Sequence, residues 1–274
     1  RSNLVGLSLF DNNILQMIAH IFFSILFIFF AIWYIFPLIF KRSFMAVFCD
    51  IYLRVTHKKL SYENTKSQLL HKKSLPEEKY SIPTRILKNY GIKQFDYQGM
   101  NSYYYYGNND CCVLYLHGGG YVNNPLKYHW TFLNKISKQT NCKVIIPIYP
   151  KAPWHSFEDS YPILTEMYTQ IRKKFSRVIV MGDSSGGGLA LGLCEYFLTI
   201  NNPQPDELIL MAPWTDVTLS NPELLKYEKV DPRNNTKQTR AWGEFWSNGD
   251  TKNYKVSPIY GEMKGLKNVT IITG

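Results

Sequence analysis

The sequence predicts an α/β fold: a mostly parallel sheet with helices on both faces, preceded by one helix long enough to cross a membrane. Three observations carry this. Residues 14–40 run for 27 positions without a formal charge. From residue 111 onward, short β-rich apolar runs alternate with longer helical ones. Those short runs are nearly uninterrupted, as in Val178-Ile179-Val180-Met181, the pattern of strands buried on both faces.

Residues 1–13 form an N-terminal flank to the uncharged run. Within 14–40 the polar residues are Gln16, His20 and Ser24, with the polar tips of Trp33 and Tyr34. As a helix this run extends about 40 Å, against a hydrocarbon core of roughly 30 Å, so it spans with tilt. It is apolar all round, unlike the striped surface helix of a globular domain. A cleaved signal peptide fits less well, because the run is too long. Lys41-Arg42 follow it instead of a small-x-small cleavage site.

The 274 residues carry 31 Lys+Arg against 21 Asp+Glu, a net charge of +10. Residues 1–40 hold one cation and one anion, and residues 41–96 hold 12 cations and 5 anions. Residues 97–274 hold 18 and 15. The basicity is therefore mostly juxtamembrane. Lys41, Arg42, Arg54, Lys58 and Lys59 follow the span and only Arg1 precedes it. The positive-inside bias thus predicts a single-pass protein whose C-terminal side is cytoplasmic. The bilayer is the first expected partner, with anionic headgroups against the basic segment. A body of net +3 argues against a nucleic-acid binder. Five cysteines without a CxxC pair suggest reduced thiols. The sequons at Asn234 and Asn268 are short enough to arise by chance.

Residues 41–110 read as helices and loops leading into the sheet, with 41–96 a basic juxtamembrane and cap segment. Strands are expected at 111–116, 143–149, 177–181, 207–211 and 269–273. Helices are expected at 125–138, 156–175 and 186–199. Residues 214–256 form a long polar insertion containing tryptophans.

Two motifs carry chemistry. Gly182-Asp183-Ser184-Ser185-Gly186 is a G-x-S-x-G between a strand and a helix. There Ser184 sits on a sharp turn at the carboxyl end of the sheet, and the helix that follows points its N-terminal dipole at developing negative charge. Alone the motif is weak; in a strand–turn–helix context it is much stronger. The second, His117-Gly118-Gly119-Gly120, directly follows a strand. A glycine run there lets bare backbone N–H groups face a carbonyl oxygen, an oxyanion hole completed by the N–H of Ser185. A phosphate loop would need the G-x-x-x-x-G-K-[ST] spacing, which is absent.

Together these residues resemble the hormone-sensitive-lipase-like branch of the α/β-hydrolases, the bacterial class IV esterases. Further matches are Tyr149-Pro150-Lys151-Ala152-Pro153, Ala212-Pro213-Trp214-Thr215-Asp216, Ser220-Asn221-Pro222-Glu223, Asp231-Pro232 and Val256-Ser257-Pro258. The likeness covers residues 97–274. It implies Ser184 as the nucleophile, with Gly118, Gly119 and Ser185 as oxyanion donors. His117, Gly120, Gly182, Asp183 and Gly186 support the two motifs. It also implies a cap built from the segment before the glycine motif and from the 214–256 insertion. Trp242, Phe245 and Trp246 are candidates to line the acyl pocket, or to pack within the cap. No metal or organic cofactor is implied.

In this fold the chain order is Ser, then Asp/Glu, then His. The six histidines are His20, His57, His71, His117, His129 and His155, and none follows Ser184. His117 and His155 are poor substitutes, one in the glycine turn and the other expected at the surface. The acid, the base, the last strand and the last helix are expected beyond residue 274, so the sequence reads as a fragment, inactive alone, or as a natural truncation without hydrolysis. The expected activity is that of a membrane-anchored serine carboxylester hydrolase for short-to-medium acyl or lipophilic esters. The alternative is a catalytically inactive binding module on the same scaffold.

Overall fold

The computed structural model describes residues 4–77 and 79–273. Arg1 and Gly274 lie outside the described residues. The chain divides into two compact units, Arg1–Lys58 with Val230–Arg233, and Lys59–Lys229 with Asn234–Gly274.

The first unit is helical. α1 (Leu4–Phe40) contains the uncharged run, and Ile14–Ile39 within it averages a mean hydropathy of 2.5 with no residue of its most apolar window buried. It is long and apolar enough to span a bilayer. Lys41 turns the chain with a φ of 51°. α2 (Phe44–Thr56) then begins under an N-cap from Ser43, whose hydroxyl accepts from the Ala46 N–H at 3.1 Å.

The second unit holds a seven-stranded sheet in the order β1-β2-β4-β3-β5-β6-β7. β3 (Cys111–Leu116), β4 (Lys143–Pro147), β5 (Arg177–Asp183), β6 (Glu207–Met211) and β7 (Val269–Ile272) run parallel. β1 (Lys93–Tyr97) and β2 (Met100–Tyr105) form an antiparallel hairpin added to β4. This hairpin corrects the expectation of only helices and loops before residue 111. Its strands are polar and tyrosine-rich (Lys-Gln-Phe-Asp-Tyr and Met-Asn-Ser-Tyr-Tyr-Tyr), so they lack the buried-strand signature. A boundary at 96/97 would cut through β1.

The period-2 alternation of β3 sorts its side chains between two cores. Cys112, Leu114 and Leu116 enter one, beneath α6 (Phe157–Lys174) and α7 (Ser184–Thr199). Cys111, Val113 and Tyr115 enter the other, beneath α5 (Lys127–Thr140). Helices thus cover both faces, as βαβ crossovers require. α6 is closed by a capping box, with Ser156 at its N-cap and Asp159 bonding back to the Ser156 N–H at 2.8 Å. α5 starts two residues later than the periodicity suggests, and α7 starts at Ser184, two residues earlier than expected.

The segments expected to build a cap also have elements in this unit. α3 (Tyr62–Lys73) packs on α9 (Thr236–Trp246), an element of the 214–256 insertion. Leu69 of α3 and Ala241 of α9 are buried in one cluster with Val122 and Ala152, with Tyr62, Trp242 and Phe245 packed around.

Candidate active site

The end of β5 and the start of α7 place Ser184 at a φ of 50°, a left-handed conformation costly for a residue with a side chain. Ser184 is exposed, whereas every residue from Ser185 to Glu195 is buried. Its hydroxyl makes no hydrogen bond among the described residues. Two flanking glycines are dictated by close approach. A Cβ on Gly182 would sit 2.3 Å from the Gly186 carbonyl oxygen, and one on Gly186 would sit 2.1 Å from that of Leu116. The Ser184 carbonyl accepts from the Trp214 N–H at 2.8 Å, tying the turn to the loop after β6.

The glycine loop after β3 lies against this turn through two hydrogen bonds that the sequence reading did not foresee. The Gly118 N–H donates to Asp183 Oδ1 at 2.8 Å, and the Gly120 N–H donates to Ser185 Oγ at 2.9 Å. Gly118, expected as an oxyanion donor, therefore has its N–H engaged by a carboxylate and acts here as an anchor. Gly119, at a φ of 138°, and Ser185 keep N–H groups that turn and loop contacts leave unused. Ser185 is the second residue of α7, where no intrahelical acceptor exists.

Asp183 is the hub. Its Oδ1 also accepts from the Tyr115 hydroxyl at 2.6 Å, and its Oδ2 accepts from His129 Nε2 at 3.3 Å. The His129 Nδ1 accepts from the Leu126 N–H at 2.9 Å, which leaves the ring proton on Nε2 for Asp183. Burial acts to raise the Asp183 pKa, but the His129, Tyr115 and Gly118 donors outweigh it and hold the carboxyl below its ordinary value. Tyr115 and His129 were not singled out from sequence. The only hints were a phenol in the apolar β3 run and a histidine near the start of a helix.

His117 is fully buried. Its Nδ1–H donates to the Gly118 carbonyl at 2.8 Å, its ring stacks on Tyr149 at 4.6 Å, and its Nε2 has no partner. Burial, reinforced by nearby Lys151, pushes its pKa down to about 3, so it stays neutral. His155 is held by Glu77 at 2.9 Å. Neither bonds to the Ser184 hydroxyl. The expected pocket residues separate. Trp246 is fully buried in the main core, stacked on Tyr121 at 4.5 Å, and packs rather than lines. Trp242 lies over the glycine loop, where a Cβ on Gly120 would meet its ring at 2.4 Å, and Phe245 is part of the α3–α9 cluster. Among the described residues no group of acids, histidines and cysteines could hold a metal ion.

Residues 113–274 match the family model for the alpha/beta hydrolase fold. A triacylglycerol lipase of Mycobacterium tuberculosis is 30% identical over 165 residues, covering 59% of this chain and 33% of that protein. An esterase of Acinetobacter venetianus is 26% identical over 167 residues, 59% of this chain and 55% of its own. The chain thus spans about a third to just over half of these relatives. Among solved structures, a Staphylococcus aureus protein described as an esterase superposes with a TM-score of 0.71 and 27% identity, covering 81% of this chain and 77% of that one. An esterase of the bacterial hormone-sensitive lipase family has the same fold, with a TM-score of 0.63 at 22% identity over 80% of each chain.

Proposed function

The chain belongs to the α/β-hydrolase fold family, and from that premise we propose that it is part of a membrane-anchored serine carboxylester hydrolase. The observation that carries this is Ser184: exposed, at positive φ, on the turn between β5 and α7, beside the uncommitted N–H groups of Gly119 and Ser185.

In the proposed reaction Ser184 Oγ bonds to the ester carbonyl carbon while its proton passes to a histidine base. The Gly119 and Ser185 N–H groups and the α7 dipole bind the oxyanion. The C–O bond then breaks, the alcohol leaves with the proton, and water hydrolyses the acyl-serine. Gly118, with His117, Gly120, Gly182, Asp183 and Gly186, holds the two loops in register. The acid and histidine follow the nucleophile in this fold. Residues 185–274 contain no histidine. Trp242 and Phe245 would face the acyl chain, with Trp246 packed behind them. No cofactor enters the scheme.

Residues 14–40 would anchor the protein, with 1–13 before them, the basic segment 41–96 after, and the hydrolase from 97 on the cytoplasmic side. The length of that apolar helix and the cations that follow it support this. Lipophilic esters arriving from the bilayer are the substrates this arrangement favours. If deleting residues 1–40 left turnover of membrane-embedded esters unchanged, the anchor would have no role in substrate supply.

The full-length protein should release p-nitrophenol from the acetate or butyrate ester, and Ser184→Ala should reduce that to background. The second reading is a non-catalytic binder on this scaffold, since a fold does not fix a function. Absence of turnover in the full-length protein, with Ser184→Ala behaving identically, would select it.

A further inference from the structure

α2 shows its apolar face outward. Phe44, Met45, Phe48, Ile51, Tyr52 and Val55 recur at helical spacing, so they share one face of the 13-residue helix. All six are exposed, from 37% for Phe44 to 80% for Val55. The carboxylate on α2, Asp50, points the other way and is half-buried, with Ala46, Val47 and Leu53. Arg42 and Arg54 clamp that carboxylate at 3.3 and 3.2 Å, so its charge is not presented outward. A helix in contact only with water has no reason to show its apolar stripe and turn its acid inward.

Two further observations identify the occupant of this face. α2 begins four residues after α1 ends, so the stripe follows directly in the chain on the helix that we assign to the bilayer. Residues 41–59 carry five Lys/Arg against one Asp, a net of +4 that flanks the stripe with cations. An apolar face bordered by positive charge is the composition of a helix lying in a membrane interface.

We propose that α2 lies in the plane of an anionic membrane surface, its six apolar side chains at the boundary of headgroups and acyl chains. The inference rests on the membrane reading of α1 and is independent of the hydrolase reaction. α1 holds the chain to the membrane, and α2 makes it leave along the surface instead of projecting into solvent.

The test is depth measurement on the full-length protein in phosphatidylcholine vesicles, with and without phosphatidylserine. Cys49 is the exposed cysteine among the described residues and is first replaced by serine; Cys111, Cys112, Cys142 and Cys194 are buried. A spin label is then placed singly through Phe48→Cys, Ile51→Cys or Val55→Cys, with exposed Lys173→Cys as an aqueous reference and Phe27→Cys as a membrane reference. The labels on the stripe should lie about 5–10 Å below the headgroup surface. There dissolved oxygen should relax them several-fold more than a water-soluble nickel chelate, and more deeply when phosphatidylserine is present. Nickel accessibility equal to that of Lys173→Cys would overturn the proposal by placing the face in water. Shielding from both reagents would overturn it in favour of a protein partner, including a second copy of this chain. A water-exposed Phe27→Cys label would overturn the α1 reading itself, which separates that failure from failure at α2.

Discussion

Replacing Asp183 by asparagine and by alanine separates the charge of this side chain from its anchoring of the glycine loop. In the native protein it accepts from Tyr115 at 2.6 Å, Gly118 at 2.8 Å and His129 at 3.3 Å. Asparagine keeps a carbonyl for Tyr115 and Gly118 but turns an amide N–H toward the His129 Nε2–H. His129 cannot change tautomer to suit without giving up its bond from the Leu126 N–H. One mismatched donor in a part-buried site costs about 1–3 kcal/mol. Alanine strands all three donors and should cost about 3–5 kcal/mol. Urea unfolding of the full-length protein in detergent, followed by tryptophan fluorescence, measures both values. Because the folded carboxyl lies below its ordinary value, its contribution is present above the unfolded pKa of about 3.9. It is lost as pH falls through the lower folded value. The asparagine variant should therefore show a flatter acid limb. If both variants stay within about 0.5 kcal/mol of wild type, Asp183 does not anchor the loop and the account of the turn fails.

Three other substitutions test the surrounding structure. Gly186→Ala drives a methyl to 2.1 Å from the Leu116 carbonyl oxygen; the variant should lose about 3 kcal/mol or more, read as a lowered urea midpoint. Glu195 is buried with both oxygens unpaired, and burial pushes its pKa up to about 8. Its folded state holds the proton more tightly, so stability is full below the unfolded pKa of about 4.3 and falls as pH rises through about 8. Glu195→Gln should remove that fall in pH-resolved thermal melts. Lys151 is buried, donates to the Tyr149 carbonyl at 3.0 Å, and has its pKa lowered by burial to about 7. Wild-type stability should therefore gain a rising component from about pH 7 toward the unfolded lysine pKa of about 10.4, a component that Lys151→Met should lack in the same melts.

The central strands were legible because burial on both faces leaves continuous apolar runs, and β3, β6 and β7 lie within a residue of where those runs predict them. β1 and β2 were not, since β1 is mostly polar and β2 fills its buried positions with tyrosines and Ser102, so no continuous apolar run marks either strand. The turn at Gly182–Gly186 was readable from local spacing, because its glycines answer contacts at 2.1–2.3 Å that any side chain would break. The Asp183 network was not readable, because it joins residues 54 to 68 positions apart whose pairing exists only after the sheet closes. The same closure engages the Gly118 N–H with Asp183 and sends Trp246 into the core.

The most direct test of the proposed nucleophile is reaction of the full-length protein with a fluorophosphonate, followed by peptide mass spectrometry. The account predicts one stoichiometric phosphonyl adduct, on Ser184, and parallel loss of ester hydrolysis. An adduct on another residue, or hydrolysis that survives full modification of Ser184, would contradict it.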